Sequence, residues 1–191
     1  PKRRDKDDAK SIVFKNGKPE LFLSFLTKEL MPFIESNYRT APHNTLIGMS
    51  PTVGVLLTDI FQELPIFNAY IALAADPQSY TVSGKYIAAE LIQRIVKRKN
   101  AHFYISRGER DIKRRKDLEA TFSYLQKEIQ KQQLENFLMA DIIEGGEHYA
   151  MSLEGINNGF RHIYPETEWS PDYITIRTHE NPTKELKNFY Q

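Results

Sequence analysis

Thr45-Leu46-Ile47-Gly48-Met49-Ser50-Pro51-Thr52-Val53-Gly54-Val55-Leu56-Leu57 is the stretch on which the fold turns. It follows a breaker, Ala41-Pro42-His43-Asn44, and its first five residues, Thr45 to Met49, are a short run that reads as a buried strand. From Val53 to Leu64 the apolar residues return at helical spacing. Strand, tight turn and helix therefore lie in direct succession, with Ser50 at the junction.

Working outward, Leu21, Phe22, Phe25, Leu26, Leu30, Phe33 and Ile34 recur at three- and four-residue spacing, which predicts an amphipathic helix over Glu20 to Tyr38 with a kink at Pro32. Downstream, the alternation repeats. Phe67 to Ala74, His102 to Ser106 and Phe137 to Ile143 are strand-like, while Lys85 to Lys97, Asp117 to Leu134 and Leu153 to Ile163 are helical. Strands separated by helix-length segments imply an α/β fold: a mainly parallel, four-stranded sheet covered on both faces. Such a sheet keeps its chemistry at the carboxyl ends of its strands, which selects Ser50 and the segments after Ser106 and Glu144. Pro165 to Gln191 is polar and reads as a tail or the start of a further element.

Composition narrows the function classes. The 191 residues carry 26 basic and 25 acidic side chains, too even a balance for a general nucleic-acid or anionic-membrane binder. The runs Lys97-Arg98-Lys99 and Lys113-Arg114-Arg115-Lys116 are short, at a predicted helix end and in a predicted loop, and read as solvated charge. With no cysteine there is no disulfide or thiolate chemistry, and the redox compartment stays open. No apolar run reaches the ~18 residues of a membrane-spanning helix. The first ten residues lack the apolar stretch of a signal peptide, but the chain opens on Pro1 rather than Met, so localisation stays open and a periplasmic or secreted protein with a removed leader is compatible with it. Histidines and carboxylates show no zinc spacing and there is no glycine-rich phosphate loop, so neither a metal nor an organic cofactor is expected.

Three strand ends carry reactive groups. Gly48-Met49-Ser50-Pro51-Thr52 has the context of a G-x-S-x-G nucleophile elbow, with Thr52 in place of the second glycine. Arg107-Gly108-Glu109-Arg110-Asp111 offers two carboxylates, either of which can orient an imidazole. Glu144-Gly145-Gly146-Glu147-His148 follows the next strand, and its glycines free the loop to aim His148 back over the sheet edge. Taken singly, each is more often a structural turn, exposed loop charge or a surface histidine. Their order, serine then acid then histidine after successive strands, is the chain order of the α/β-hydrolase triad.

The chain resembles the α/β-hydrolase esterase family related to esterase D and the enterochelin esterases. Phe25 to Thr40 is similar to that family's helix before the nucleophile strand, Leu46-Ile47-Gly48-Met49-Ser50 to its elbow, and Phe67 to Ala72 to its next strand. Tyr104-Ile105-Ser106-Arg107-Gly108 looks like the strand leading to the acid, and Glu147-His148 with the helix to Phe160-Arg161-His162-Ile163-Tyr164 like the histidine loop and closing helix. The resemblance implies a three-layer hydrolase domain over residues 1–164, with residues 165–191 as tail. It also implies Ser50 as nucleophile, His148 as general base, and Asp111 or Glu109 as the orienting carboxylate. His43, His102, His162 and His179 match no catalytic position.

Two departures accompany it. Pro51 has no N–H for the oxyanion, and one such donor is typically worth ~2.7–4 kcal/mol. Pro51 also restricts the backbone of Ser50, although it suits the first turn of a helix. The family's early strands precede the matched region, so the expectation is a partial domain with sheet strands missing at one edge and with more chain after Gln191. The expected activity is hydrolysis of small carboxylic esters through an acyl-enzyme. The alternative is a catalytically impaired homologue acting as a binding or scaffold module.

Overall fold

The structure is a computed structural model that describes residues 18–77, 86–98, 100–165 and 172–189. Lys85, at the start of a predicted helix, Lys99, the first ten residues and parts of the C-terminal stretch lie outside the described residues. Helix α1 (Pro19–Phe25), a π-helical turn (Leu26–Leu30) and α2 (Met31–Asn37) lead to β1 (Thr45–Met49). A 3₁₀ turn over Ser50–Thr52 opens α3 (Val53–Ile60), followed by β2 (Ala69–Leu73), α4 (Ile87–Lys97) and β3 (His102–Gly108). Then come α5 (Glu109–Lys113), α6 (Lys116–Lys131), β4 (Leu138–Ile143) and α7 (Ser152–Ile163). Two short helices, α8 (Tyr173–Thr178) and α9 (Pro182–Phe189), close the described chain and bury no residue.

The four strands pair in sequence order, β1-β2-β3-β4, and every pair is parallel. Parallel strands of the same crossover hand, taken in order, send their connecting helices to one face. Leu56 of α3, Leu91 of α4 and Phe122 of α6 accordingly share one core with Tyr70 and Ala72 of β2, Phe103 and Ile105 of β3, and Leu138 of β4. The alternate residues Ala69, Ile71, Leu73 and Tyr104 face the other way and meet Met151 and Ile163, which bracket α7. The result is three layers: helices, sheet, helix. β1 lies at one edge of this sheet, with Ile47 exposed.

Proline at position 32 acts through the turn before it. A mid-helix proline lacks an N–H and its ring collides with the carbonyl four residues back. Here the helix widens to π spacing over Leu26–Leu30, with Met31 N–H bonded to Leu26 O, and Pro32 then sits in the first turn of α2. The predicted kink is thus a bulge that starts one turn earlier.

The segment from α3 to β2 is pinned by a buried carboxylate. Asp59 accepts hydrogen bonds from Ile66 N, from Phe67 N (3.1 Å) and from the Tyr70 hydroxyl (2.6 Å). Burial and this acceptor hold the Tyr70 phenol well above its ordinary range, so it remains a donor. The basic run Lys113 to Lys116, expected in a loop, instead joins α5 to α6, and α5 itself was not predicted: its five residues, Glu-Arg-Asp-Ile-Lys, carry one apolar side chain and no visible period. Among the described residues no helix is long and apolar enough to cross a membrane.

Candidate functional site

The site lies at the carboxyl ends of β1, β3 and β4. Ser50 follows β1 directly, with φ of +55°, a left-handed conformation that a non-glycine residue adopts only under constraint. Pro51 does not prevent it. The constraint comes from packing on both sides: a Cβ on Gly48 would stand 2.6 Å from Leu56 Cδ1 and 3.0 Å from Thr52 O, so only glycine lets β1 approach α3 this closely. Thr52, in the place of a second glycine, closes the turn with its hydroxyl. Its Oγ1 accepts from Met49 N (2.7 Å) and donates to Met49 O (2.9 Å).

On the opposite side, the loop after β4 turns at Gly145 (φ +63°) and packs against the end of β3. Gly108 lies so close that an added Cβ would fall 2.5 Å from Gly146 O. Arg110 N donates to that same carbonyl (3.1 Å). The loop brings His148 Nε2 to 2.9 Å from Ser50 Oγ. His148 Nδ1 faces Asp111 Oδ2 at 3.5 Å, an ion-pair distance rather than a full hydrogen bond.

The two carboxylates left open by the sequence have separate places. Asp111 is the one beside His148, with its side chain 13% exposed. Glu109 accepts from Gly145 N (3.0 Å) and pairs with Lys113 (2.6 Å), which lowers its carboxyl pKa through those hydrogen bonds and ties α5 to the histidine loop. The five-residue helix makes the division. Spacing of four puts Glu109 with Lys113 and, reaching back to β3, Asp111 with Arg107 (3.1 Å). The Arg107–Asp111 spacing was visible in the sequence and would have singled out Asp111 had α5 been foreseen.

Glu147, beside His148, is shared by Arg110 (3.5 Å) and Arg114 (3.2 Å), while Arg115 binds Asp76 and Asp117 at 2.9 Å. The basic run is therefore engaged with acidic side chains of this rim. Behind the site, α7 is fastened to the sheet by Asp141, which accepts from Tyr104 (2.5 Å) and Asn158 (3.1 Å). Burial, then the Asp141 bond, raise the Tyr104 phenol far above its usual range.

The remaining histidines take other positions. His43 packs edge-on against Tyr164, His102 Nδ1 lies 3.0 Å from Asn136 O, and His179 Nδ1 accepts from Asn181 N. His162, on α7, has a buried Nε2 without a hydrogen-bond partner, and burial, aided by the charge of His102, lowers its pKa to about 4. Among the described residues no cluster of three or more histidine and carboxylate side chains has metal-binding geometry.

No family model and no curated protein matches the chain. Two solved structures do. An IroE-like serine hydrolase from Shewanella oneidensis superposes with a TM-score of 0.63 at 23% identity, over 88% of this chain and 52% of that one. The BES protein from Bacillus cereus superposes with a TM-score of 0.53 at 20% identity, over 85% of this chain and 62% of that one. The fold is of the α/β-hydrolase type. The chain spans about half the length of the first of these neighbours and under two thirds of the second.

Proposed function

We propose that the chain carries the reactive groups of a serine hydrolase that acts on small carboxylic esters through an acyl-enzyme. The observation that supports this reading most is the 2.9 Å contact between Ser50 Oγ and His148 Nε2, two side chains 98 residues apart, at the carboxyl edge of a parallel sheet. In this reading Asp111 faces Nδ1–H, which fixes the tautomer whose Nε2 accepts the serine proton. Ser50 Oγ bonds to the ester carbonyl carbon as its proton passes to Nε2. Collapse of the tetrahedral adduct breaks the bond to the alkoxide oxygen, which leaves with that proton. Water then repeats the sequence and releases the acid, restoring Ser50.

Electrostatic stabilisation of the adduct is where this chain departs from the usual arrangement. Pro51 offers no N–H to the developing oxyanion, and a missing donor costs on the order of 3 kcal/mol, or roughly a hundredfold in rate. A slow esterase follows, unless the site serves binding alone.

Fluorophosphonate labelling separates these outcomes. The wild type is expected to label at Ser50 and to hydrolyse 4-nitrophenyl acetate, with both activities lost in Ser50→Ala and His148→Ala. If the folded wild type stays unlabelled and Pro51→Gly gains labelling, the ester-hydrolase reading fails and the domain is a disabled homologue with a binding role.

A further inference from the structure

Among the described residues Arg107 is the one buried cation, 8% exposed at the end of β3, and its donors go to two different places. Nη1 donates to Ala74 O (2.7 Å) and Ala75 O (3.1 Å), just past the end of β2. Nε donates to Asp111 Oδ2 at 3.1 Å. That is the oxygen that faces His148 Nδ1. Ala74 has φ of +49°, and with Ala75 N bonded to Ser106 O the chain there turns both carbonyls toward one nitrogen. A buried guanidinium needs such acceptors, since an unpaired one costs several kcal/mol.

We infer that Arg107 is a positioning residue that acts on His148 through Asp111: it shares the carboxylate oxygen that faces the imidazole and offsets the negative charge that His148 meets there. This rests on the proposed roles of Ser50, His148 and Asp111. Stability alone does not explain a guanidinium at this place, because buried ion pairs are often replaced by apolar side chains of similar volume without loss. What an apolar replacement cannot supply is charge. With Arg107 present, Asp111 Oδ2 divides its attraction between two cationic partners, and protonated His148 gains less from it. With Arg107 removed, the carboxylate acts on His148 undiminished, and the imidazole keeps its proton to higher pH.

Of the other charged groups around the loop, Glu147 pairs with Arg110 and Arg114 and Glu109 with Lys113, while Glu144 is exposed to solvent. Tyr149 packs edge-on against the His148 ring at 4.8 Å. Asp111 is the charged group that faces the His148 ring nitrogen, and Arg107 shares its oxygen.

The test is a proton NMR titration of the His148 ring in the full chain, wild type beside Arg107→Met and Arg107→Lys. Arg107→Met is expected to raise the His148 midpoint by about one pH unit, the scale of one nearby charge. Arg107→Lys keeps the charge and should restore most of the wild-type midpoint while losing the two-carbonyl grip, seen as a lower Tm. An unchanged midpoint in a folded Arg107→Met would leave Arg107 as packing, and a lowered one would mean that it only holds Asp111 in place; either overturns the inference. Should Arg107→Met not fold, Arg107→Gln, neutral but still a donor toward the Ala74 carbonyl, takes its place with the same two outcomes. The titration needs no turnover, so a wild type inert to fluorophosphonate would refute the esterase reading while this measurement still decides the role of Arg107.

Discussion

The turn that carries Ser50 and the loop that carries His148 reach the same hydrogen bond by different means. On the serine side the geometry is secured from within: a glycine that lets β1 touch α3, a hydroxyl that bridges the Met49 backbone, and apolar packing through Leu56. On the histidine side it is secured largely by charge, with Glu147 between two arginines and Glu109 between Lys113 and Gly145, mostly in contact with solvent. The positive φ of Ser50 sits on the side held by close packing and neutral hydrogen bonds, which salt does not screen. The histidine loop adds these exposed ion pairs to one close backbone contact, Gly146 against Gly108.

The sharpest way to set the two sides against each other is acid. His162 belongs to α7, the helix that follows the His148 loop, and its pKa falls from the ordinary 6.5 to about 4 because burial disfavours the charged ring. A group that binds protons less readily when folded stabilises the fold fully above pH 6.5 and loses that contribution as pH falls through about 4. The loss is expected to reach about 2–3 kcal/mol near pH 4. Urea denaturation from pH 7 to 4 checks it, with His162→Gln expected to flatten this part of the profile. Hydrogen exchange should show α7 loosening before α3. An α3 that opens first would reverse the comparison.

A smaller effect is expected from Gly108→Ala, since the new Cβ would meet the Gly146 carbonyl, which is backbone and cannot rotate away. Overpacking of this kind costs about 1–3 kcal/mol. Because the displaced loop carries His148, fluorophosphonate labelling should fall further than the Tm alone accounts for. Equal loss of labelling and folded fraction would mean that the loop tolerates the shift.

The smallest effects separate packing from charge. Thr52→Val removes the hydroxyl from the Met49 backbone and should cost about 1 kcal/mol at any salt concentration. Glu147→Gln should cost less than about 1 kcal/mol, and that difference should vanish by 0.5 M salt. Paired denaturation curves at low and high salt read both, and a salt-dependent Thr52→Val would remove the distinction.

Much of this architecture was legible in the chain. The four strands announce themselves because a parallel sheet buried on both faces needs near-continuous apolar runs, such as Ala69-Tyr70-Ile71-Ala72-Leu73. The meeting of Ser50 and His148 was foreshadowed because both follow strand ends, which converge at the carboxyl edge of a parallel sheet. The choice between Asp111 and Glu109 was not, since it depends on α5, whose five polar-rich residues are ordered by the groups around them. Thr52 and Asp59 were equally silent. Their side chains bind backbone donors at positions that spacing alone does not reveal.

The hydrogen bond from Ser50 to His148 also has a meaning for folding. It closes a stretch of 98 residues that contains β2, β3 and β4, so the chain must form most of its sheet before the two side chains can meet. Closing so long a loop is entropically unfavourable until strand pairing offsets it, which places this contact late in assembly. If fluorophosphonate labels Ser50 as proposed, its uptake would count molecules in which this contact has formed, and the time course after dilution from urea would record that step of folding.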